Sequence, residues 1–314
     1  MTPSKLPNRI LGALLPLLAT TSMLAAQRMP MPDGRILQLF DLRETQHGGA
    51  HKLAPMKHDA GKHAASMLRH FIDPPLRDGD DITAIGNHWI AVFADEQRIA
   101  SVDRLFHAAK QHRNDLLTIE VKMLDVSADK FRKHLLPQLD KIERKAGTTY
   151  ETVVDKSKAK KFLTSCETAA TTVLAAPLLS VLPLQKAHIM VGNETAYVKD
   201  FTVQRAGDAV IADPVIATVW DGHKSEVCAT FLPGGRIGLT CDVNVQELLR
   251  PIPTVETVVV KGTKPVTIQL PRLSGVRLAN VAEIAAGSLV VLAAKRSDGN
   301  FLVAVIKASA TGNR

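Results

Sequence analysis

Apolar positions in the first third of the chain alternate between strand and helix periods. An apolar run at 36–42, Ile-Leu-Gln-Leu-Phe-Asp-Leu, reads as a strand. From Gly61, Ala64, Leu68, Phe71 and Ile72 recur at helical spacing until Pro74-Pro75 stops them. Residues 80–86 and 89–94 are two short strands with Gly86-Asn87 as the turn between them. Asp95 then caps a helix whose stripe is Ile99, Val102, Phe106 and Ala109. The order is β-α-β-β-α, a compact module over 36–113.

The period changes after residue 114. Residues 116–126 (LLTIEVKMLDV) form a long, half-alternating strand. Phe131, Leu135, Leu139 and Ile142 make a helical stripe, which Pro137 should kink or split. KSKAKK at 156–161 reads as a solvated helix face or loop, with a patch for an acidic partner as the other reading. From Leu178 onward almost every segment is strand-like and punctuated by Gly and Pro. The fold class expected is therefore α+β, a small βαββα N-terminal module followed by a β-rich domain over 114–308 and a tail at 309–314.

A hairpin around Gly234-Gly235 gives the sharpest local expectation. With those two residues as the loop, Pro233 faces Arg236 and Cys228 lies opposite Cys241, at a separation within disulfide range. Either the two form a disulfide or both are buried free thiols; Cys166 is left unpaired in the first case. Ile237, Leu239, Cys241, Val243 and Val245 share one face, and Arg236, Thr240, Asp242 and Asn244 the other.

The N-terminus changes the setting in which this fold operates. Lys5 and Arg9 precede an apolar stretch from Ile10 to Ala26 that closes on small residues, the layout of a secretory signal peptide over 1–26. At 17 residues, broken by Pro16, it falls short of the ~20 needed to span a bilayer. Residues 27–35 read as a Met/Pro/Gly linker. An uncleaved anchor is the alternative, and no cysteine near residue 26 marks a lipoprotein.

Across 314 residues, 46% are hydrophobic and 22% charged, which excludes disorder, collagen and, with 3 Cys, a small disulfide scaffold. Aromatics at 4% are too few for the girdles of a single-chain outer-membrane barrel. The formal charge of +8 invites a nucleic-acid reading. Its basic residues are scattered without an aromatic platform, so no nucleic-acid partner is expected.

Candidate chemistry is sparse. G-x-S-x-G, the P-loop, H-E-x-x-H and Cys-x-x-Cys are all absent. His47, His51, His58, His63 and His70 crowd into 24 residues without Glu or Cys ligands at supporting spacing, and read as surface histidines. His107 and His112 complement a helix C-terminus. Asp200, Asp213 and Asp221 are candidates for an acid pair, but Asp213-Pro214 and Asp221-Gly222 fit turn chemistry better. No catalytic residue, metal ligand or cofactor is expected.

An ordered set of segments resembles a family: LTIEVKMLDVS (117–127), APLLSVLPLQKAHIMVGNETAYVKDF (176–201), ADPVIATVWDGHKSEVCATFLPGGRIGLTCDVNV (212–245) and PVTIQLPRLSGVRLANVAEIAAGSLVVLAA (265–294). Together they are similar to the secretins, the ring-forming outer-membrane subunits of bacterial type II and type III secretion and type IV pilus systems. The 36–113 region is similar to the periplasmic ring-building modules that precede the secretin domain. Two departures stand out: a Lys-rich segment occupies the place of the Gly-rich gate hairpins, and the family's terminal motif is absent after KASATGNR. The resemblance implies a non-enzymatic, exported, periplasmic or outer-membrane homo-oligomer working with other secretion-system proteins. A soluble periplasmic binding or adaptor protein without a pore is the alternative.

Overall fold

The computed structural model describes residues 28–45, 60–144, 147–206, 209–258 and 265–311. The signal-peptide expectation at 1–26 and the histidines 47, 51 and 58 lie outside these residues. β1 (Arg28–Pro30), β2 (Ile36–Asp41), β3 (Asp81–Ile85) and β4 (Trp89–Ala94) form an antiparallel sheet in the order β1-β2-β4-β3. The linker expectation for 27–35 is thus corrected in part, because Arg28–Pro30 pairs with Ile36–Gln38. Helices α1 (Ala60–Phe71) and α2 (Glu96–Gln111) pack on one face of this sheet through Ala64, Leu68, Ile99, Val102 and Phe106. Asp95 caps α2 as its position predicts, its carboxylate accepting the Arg98 backbone N–H at 2.9 Å.

β5 (Leu116–Val126) opens the second part and joins a larger antiparallel sheet with β6 (Asp140–Arg144), β7 (Gly147–Val154), β8 (Ala170–Ala175), β9 (Leu178–Val181), β16 (Leu289–Lys295) and β17 (Phe301–Thr311). The order is β6-β7-β16-β17-β5-β8, with β9 also on β5. β16 and β17 are apolar almost without interruption, because both their faces are covered. Ser309 and Thr311 pair with Thr118 and Leu116, so the first residues of the expected tail belong to β17.

Pro137 does interrupt the 131–142 stripe. The helical stretch that begins at Ala128 ends with a 3-10 turn at Leu136–Gln138, and Ile142 lies in β6 instead of on a helix. The Lys-rich segment is helix α3, Lys156–Ala169, which buries Ala159, Phe162, Cys166 and Ala169 against the larger sheet.

β10 (Lys186–Ala206), β11 (Ala209–Leu232), β12 (Arg236–Leu249) and β15 (Arg272–Ala285) make a second sheet in that order, all antiparallel. A small hairpin, β13 (Thr254–Thr257) and β14 (Val266–Gln269), lies between β12 and β15 in sequence. The inner faces of the two large sheets close on one core, in which Ile119, Val121 and Met123 meet Val227, Ile237, Leu239 and Leu292. The outer face of the second sheet carries the N-terminal module: Leu184, Cys228 and Leu232 enter the module's core and Phe71 packs on Gly238, while His112 stacks at 4.3 Å on Phe231, whose side chain belongs to the inter-sheet core.

The Gly234-Gly235 hairpin differs by one residue from the two-residue loop. Pro233, Gly234 and Gly235 all lie in the turn, both glycines have positive φ, and Leu232 faces Arg236. Every pairing moves by one, so Cys228 faces Thr240 and Cys241 faces Val227. The disulfide expectation for Cys228 and Cys241 is corrected accordingly: the thiols point to opposite faces of the sheet, each buried in a different core, and both are free. Burial pushes each thiol up to about 12, which keeps it protonated and inert.

Candidate assembly surface

β10 and β11 run 21 and 24 residues, yet β12 covers β11 only from Gly222 to Leu232. The remainder of the β10–β11 hairpin, beyond Gly192 and Gly222, is a two-stranded ribbon. Gly192 and Gly222 face each other across the ladder. A side chain on Gly192 would overlap the Asp221 carbonyl and the Trp220 indole, and one on Gly222 the Val191 carbonyl. Two backbones and a tryptophan therefore meet where only glycine fits. Further out, a register shift between Val198 and Asp200 marks a bulge, which increases local twist.

An isolated two-stranded ribbon is marginal in water, and this one exposes apolar side chains. Ile216 is 56% exposed, and Ile211 and Val203 are also open. The β13–β14 hairpin and the segment leading into it brace the ribbon: Gln269 Oε1 of β14 accepts the Val198 backbone N–H at 2.8 Å, and Arg250, just after β12, donates to Thr195 Oγ1 at 3.0 Å. That hairpin too exposes Val255 and Val258. Exposed apolar side chains on an otherwise unsupported ribbon suit a contact surface. Moreover, β10 and β15 are the two edges of their sheet, and neither has a strand ladder on its outer side among the described residues. Unpaired edges of 21 and 14 residues, of opposite position in one sheet, present complementary rows of backbone donors and acceptors.

Nearer the module, the outward face of the same sheet is charged. Lys186 and Lys224 reach Glu226 at 2.7 Å each, and Arg277 pairs with Asp242 at 2.5 Å. These groups line a cleft of about 660 Å³ that His63 and His70 of α1 close from the module side. Burial alone would raise the Glu226 carboxyl, but the two ammonium groups outweigh it and hold it at about 2. Glu226 unfolded titrates near its ordinary 4.5, so between about pH 5 and pH 2 the unfolded chain takes up a proton that the native chain refuses. Its contribution is present above that window and is lost as pH falls through it. Urea midpoints measured across the window should therefore fall with pH in the parent and fall less steeply in Glu226→Gln.

The structure scatters the other residues singled out by sequence. Asp213-Pro214 and Asp221-Gly222 are not turns but lie inside β11. Pro214 is tolerated because β11 has no second neighbour there and needs no N–H on that side. Asp213 and Asp221 are eight positions apart on one strand, about 27 Å at ~3.4 Å per residue, and Asp200 accepts the backbone N–H of Phe201. No acid pair of the kind used on glycosides forms from these three. His112 Nδ1 donates to the Asp115 carboxylate, 2.8 Å away, while the ring stacks on Phe231, and so serves the junction between module and sheet. Among the described residues no group of three or more His, Cys, Asp or Glu is arranged to hold a metal ion. No described helix is long and apolar enough to cross a membrane.

Sequence reasoning missed the ribbon as a unit. Gly192 and Gly222 each resemble a turn signal, and only their pairing across the ladder shows that they let two strands run close together. An alternation of open apolar positions through 187–219 was the available signal.

No family model matches the chain, and no curated protein matches it. Among solved structures it is similar to bacterial secretins. The type IV competence pilus secretin PilQ of V. cholerae aligns at 12% identity and a TM-score of 0.30, covering 97% of this chain and 82% of that one. The InvG secretin-domain β-barrel of the Salmonella SPI-1 injectisome aligns at 10% identity and a TM-score of 0.29, covering 94% and 86%.

Proposed function

We propose that this chain is a secretin-like structural subunit of a bacterial envelope secretion or pilus-related complex, exported to the periplasm or outer membrane and assembled as a homo-oligomer. The observation that carries the reading is the β10-β11-β12-β15 sheet, without a ladder partner at either edge among the described residues and continued by a ribbon with exposed apolar side chains. Edge-to-edge pairing of β10 in one copy with β15 in the next satisfies both rows of backbone groups and repeats head to tail. Such a heterologous contact closes into a ring when its rotation divides the circle. The ordered segments similar to secretins run through these same strands and support the reading. The chain acts by assembly and not by catalysis, and the 36–113 module packs laterally between neighbours.

Each sandwich core is complete within one chain, so a folded monomer is the specific alternative, a periplasmic adaptor that keeps the sheet and builds no ring. Light scattering coupled to size exclusion, with negative-stain images of the same fractions, separates the two. Rings of one size are expected. A monomer at every concentration, recovered from the periplasm and not from the outer membrane, would sink the ring.

A further inference from the structure

We infer that the outer face of α3 and of the helical stretch beside it is a docking surface for an acidic polypeptide segment. α3 carries Lys156, Lys158, Lys160 and Lys161 in its first six residues, all exposed. Lys130, Arg132 and Lys133 are exposed on the neighbouring helical stretch, which packs against α3. Against these stand Asp129, which pairs with Arg132 at 3.6 Å, and Asp155. None of the six lysines forms an ion pair with another described residue, whereas Lys122, lower on the same side, takes Glu167 at 2.6 Å.

The placement works against the fold's own stability. Cations in the first turns of a helix oppose its macrodipole, and like charges at 156 and 160 repel across one turn. The capping residue offers no relief, since the Asp155 side chain makes no capping hydrogen bond. The second half of the helix carries no cation: its one charged group, Glu167, is taken by Lys122, and Thr164, Ser165 and Thr168 bond back to carbonyls four residues earlier. Charge is thus concentrated at one end of a helix whose other face is a fully apolar seal on the sheet. Concentrated, unneutralised lysines of this kind raise the local density of an oppositely charged partner.

The chemistry of the patch selects carboxylates over nucleic acid. Six of its seven cations are lysines, point charges without the planar fork that grips phosphate in two places. Its aromatic side chains, Phe131 and Phe162, are buried, so no ring is available for a base to stack on. Flexible ammonium groups spread around half a helix suit side-chain carboxylates of an extended acidic segment. The inference stands on the surface of one chain and does not require the ring.

The test uses the full chain and labelled poly-L-glutamate, followed by fluorescence anisotropy at low and at physiological salt. Parent protein should bind, with affinity falling steeply as salt rises. The quadruple variant Lys156→Gln, Lys158→Gln, Lys160→Gln and Lys161→Gln should bind roughly tenfold more weakly or worse. Its thermal midpoint should equal or exceed the parent's because the substitutions relieve the helix, which certifies that it folds, and its oligomeric state should be unchanged. Absence of binding by the parent, equal binding by the quadruple variant, or tighter binding of a single-stranded oligonucleotide of matched charge would each overturn the inference.

Discussion

Gly222→Val is expected to open the long hairpin and abolish the proposed assembly. Gly222 has φ +150°, in the region where an L side chain is strained, and a side chain there collides with the Val191 carbonyl and with Gly192. Backbone strain and overpacking each cost about 1–3 kcal/mol. A two-stranded ribbon has little stability in reserve, so the collision is relieved by unzipping the 193–221 arm and not by local adjustment. The four-stranded base of the sheet and both cores remain, and the variant should still unfold cooperatively. Its signature is selective: limited proteolysis should cut within 193–221, and light scattering should show only monomer. Thr218→Ala, at an exposed position in the same ribbon, is the control and should assemble like the parent. Protease resistance and particles of normal size in Gly222→Val would mean that glycine is not needed at that position.

Arg296→Leu should cost about 3 kcal/mol, because it strands a buried carboxylate. Arg296, with 17% of its side chain exposed, reaches Asp125 of β5 at 3.3 Å and Glu247 of β12 at 3.0 Å. It thereby joins the two large sheets at one end of the sandwich. The Asp125 side chain is only 12% exposed and retains a single other partner, the Asn300 amide at 3.0 Å. Losing the guanidinium leaves that charge desolvated without a counter-ion. Urea denaturation should show the loss in midpoint with little change in slope. Arg296→Leu combined with Asp125→Leu removes both charges and should recover most of the stability, as buried pairs replaced by apolar residues generally do. A double variant as unstable as the single one would show that Arg296 acts through packing alone.

What could be read from sequence divides along the range of the forces involved. The cap of α2 at Asp95, the end of α1 before Pro74 and the continuous apolar runs of β16 and β17 are local, and each was legible. The 234–235 turn was legible as a turn but not in length: whether Pro233 belongs to the strand or to the loop is decided by sheet twist and by which core receives Cys228. One residue there reversed the partner of both cysteines. Ile142 fell to β6 because Pro137 ends the helix and the hairpin with β7 offers a full ladder instead. The ribbon was least legible of all. Asp213-Pro214 and Asp221-Gly222 carry the chemistry of turns, and only a partner strand with Gly192 at the matching position makes the second of them a point of close approach inside a strand. For the candidate surface, the lysine cluster was visible at once, whereas the open edges depend on which strands pair, a property of the whole chain.

β11 ties these parts together mechanically. At ~3.4 Å per residue its 24 residues extend about 80 Å, from Leu232 in the core of the N-terminal module to the far end of the ribbon. Hydrogen bonds along it are loaded in shear when the ends are pulled apart, so many must yield at once. A tug on the distal end therefore reaches the module through one unbroken strand, with no linker between them to absorb it.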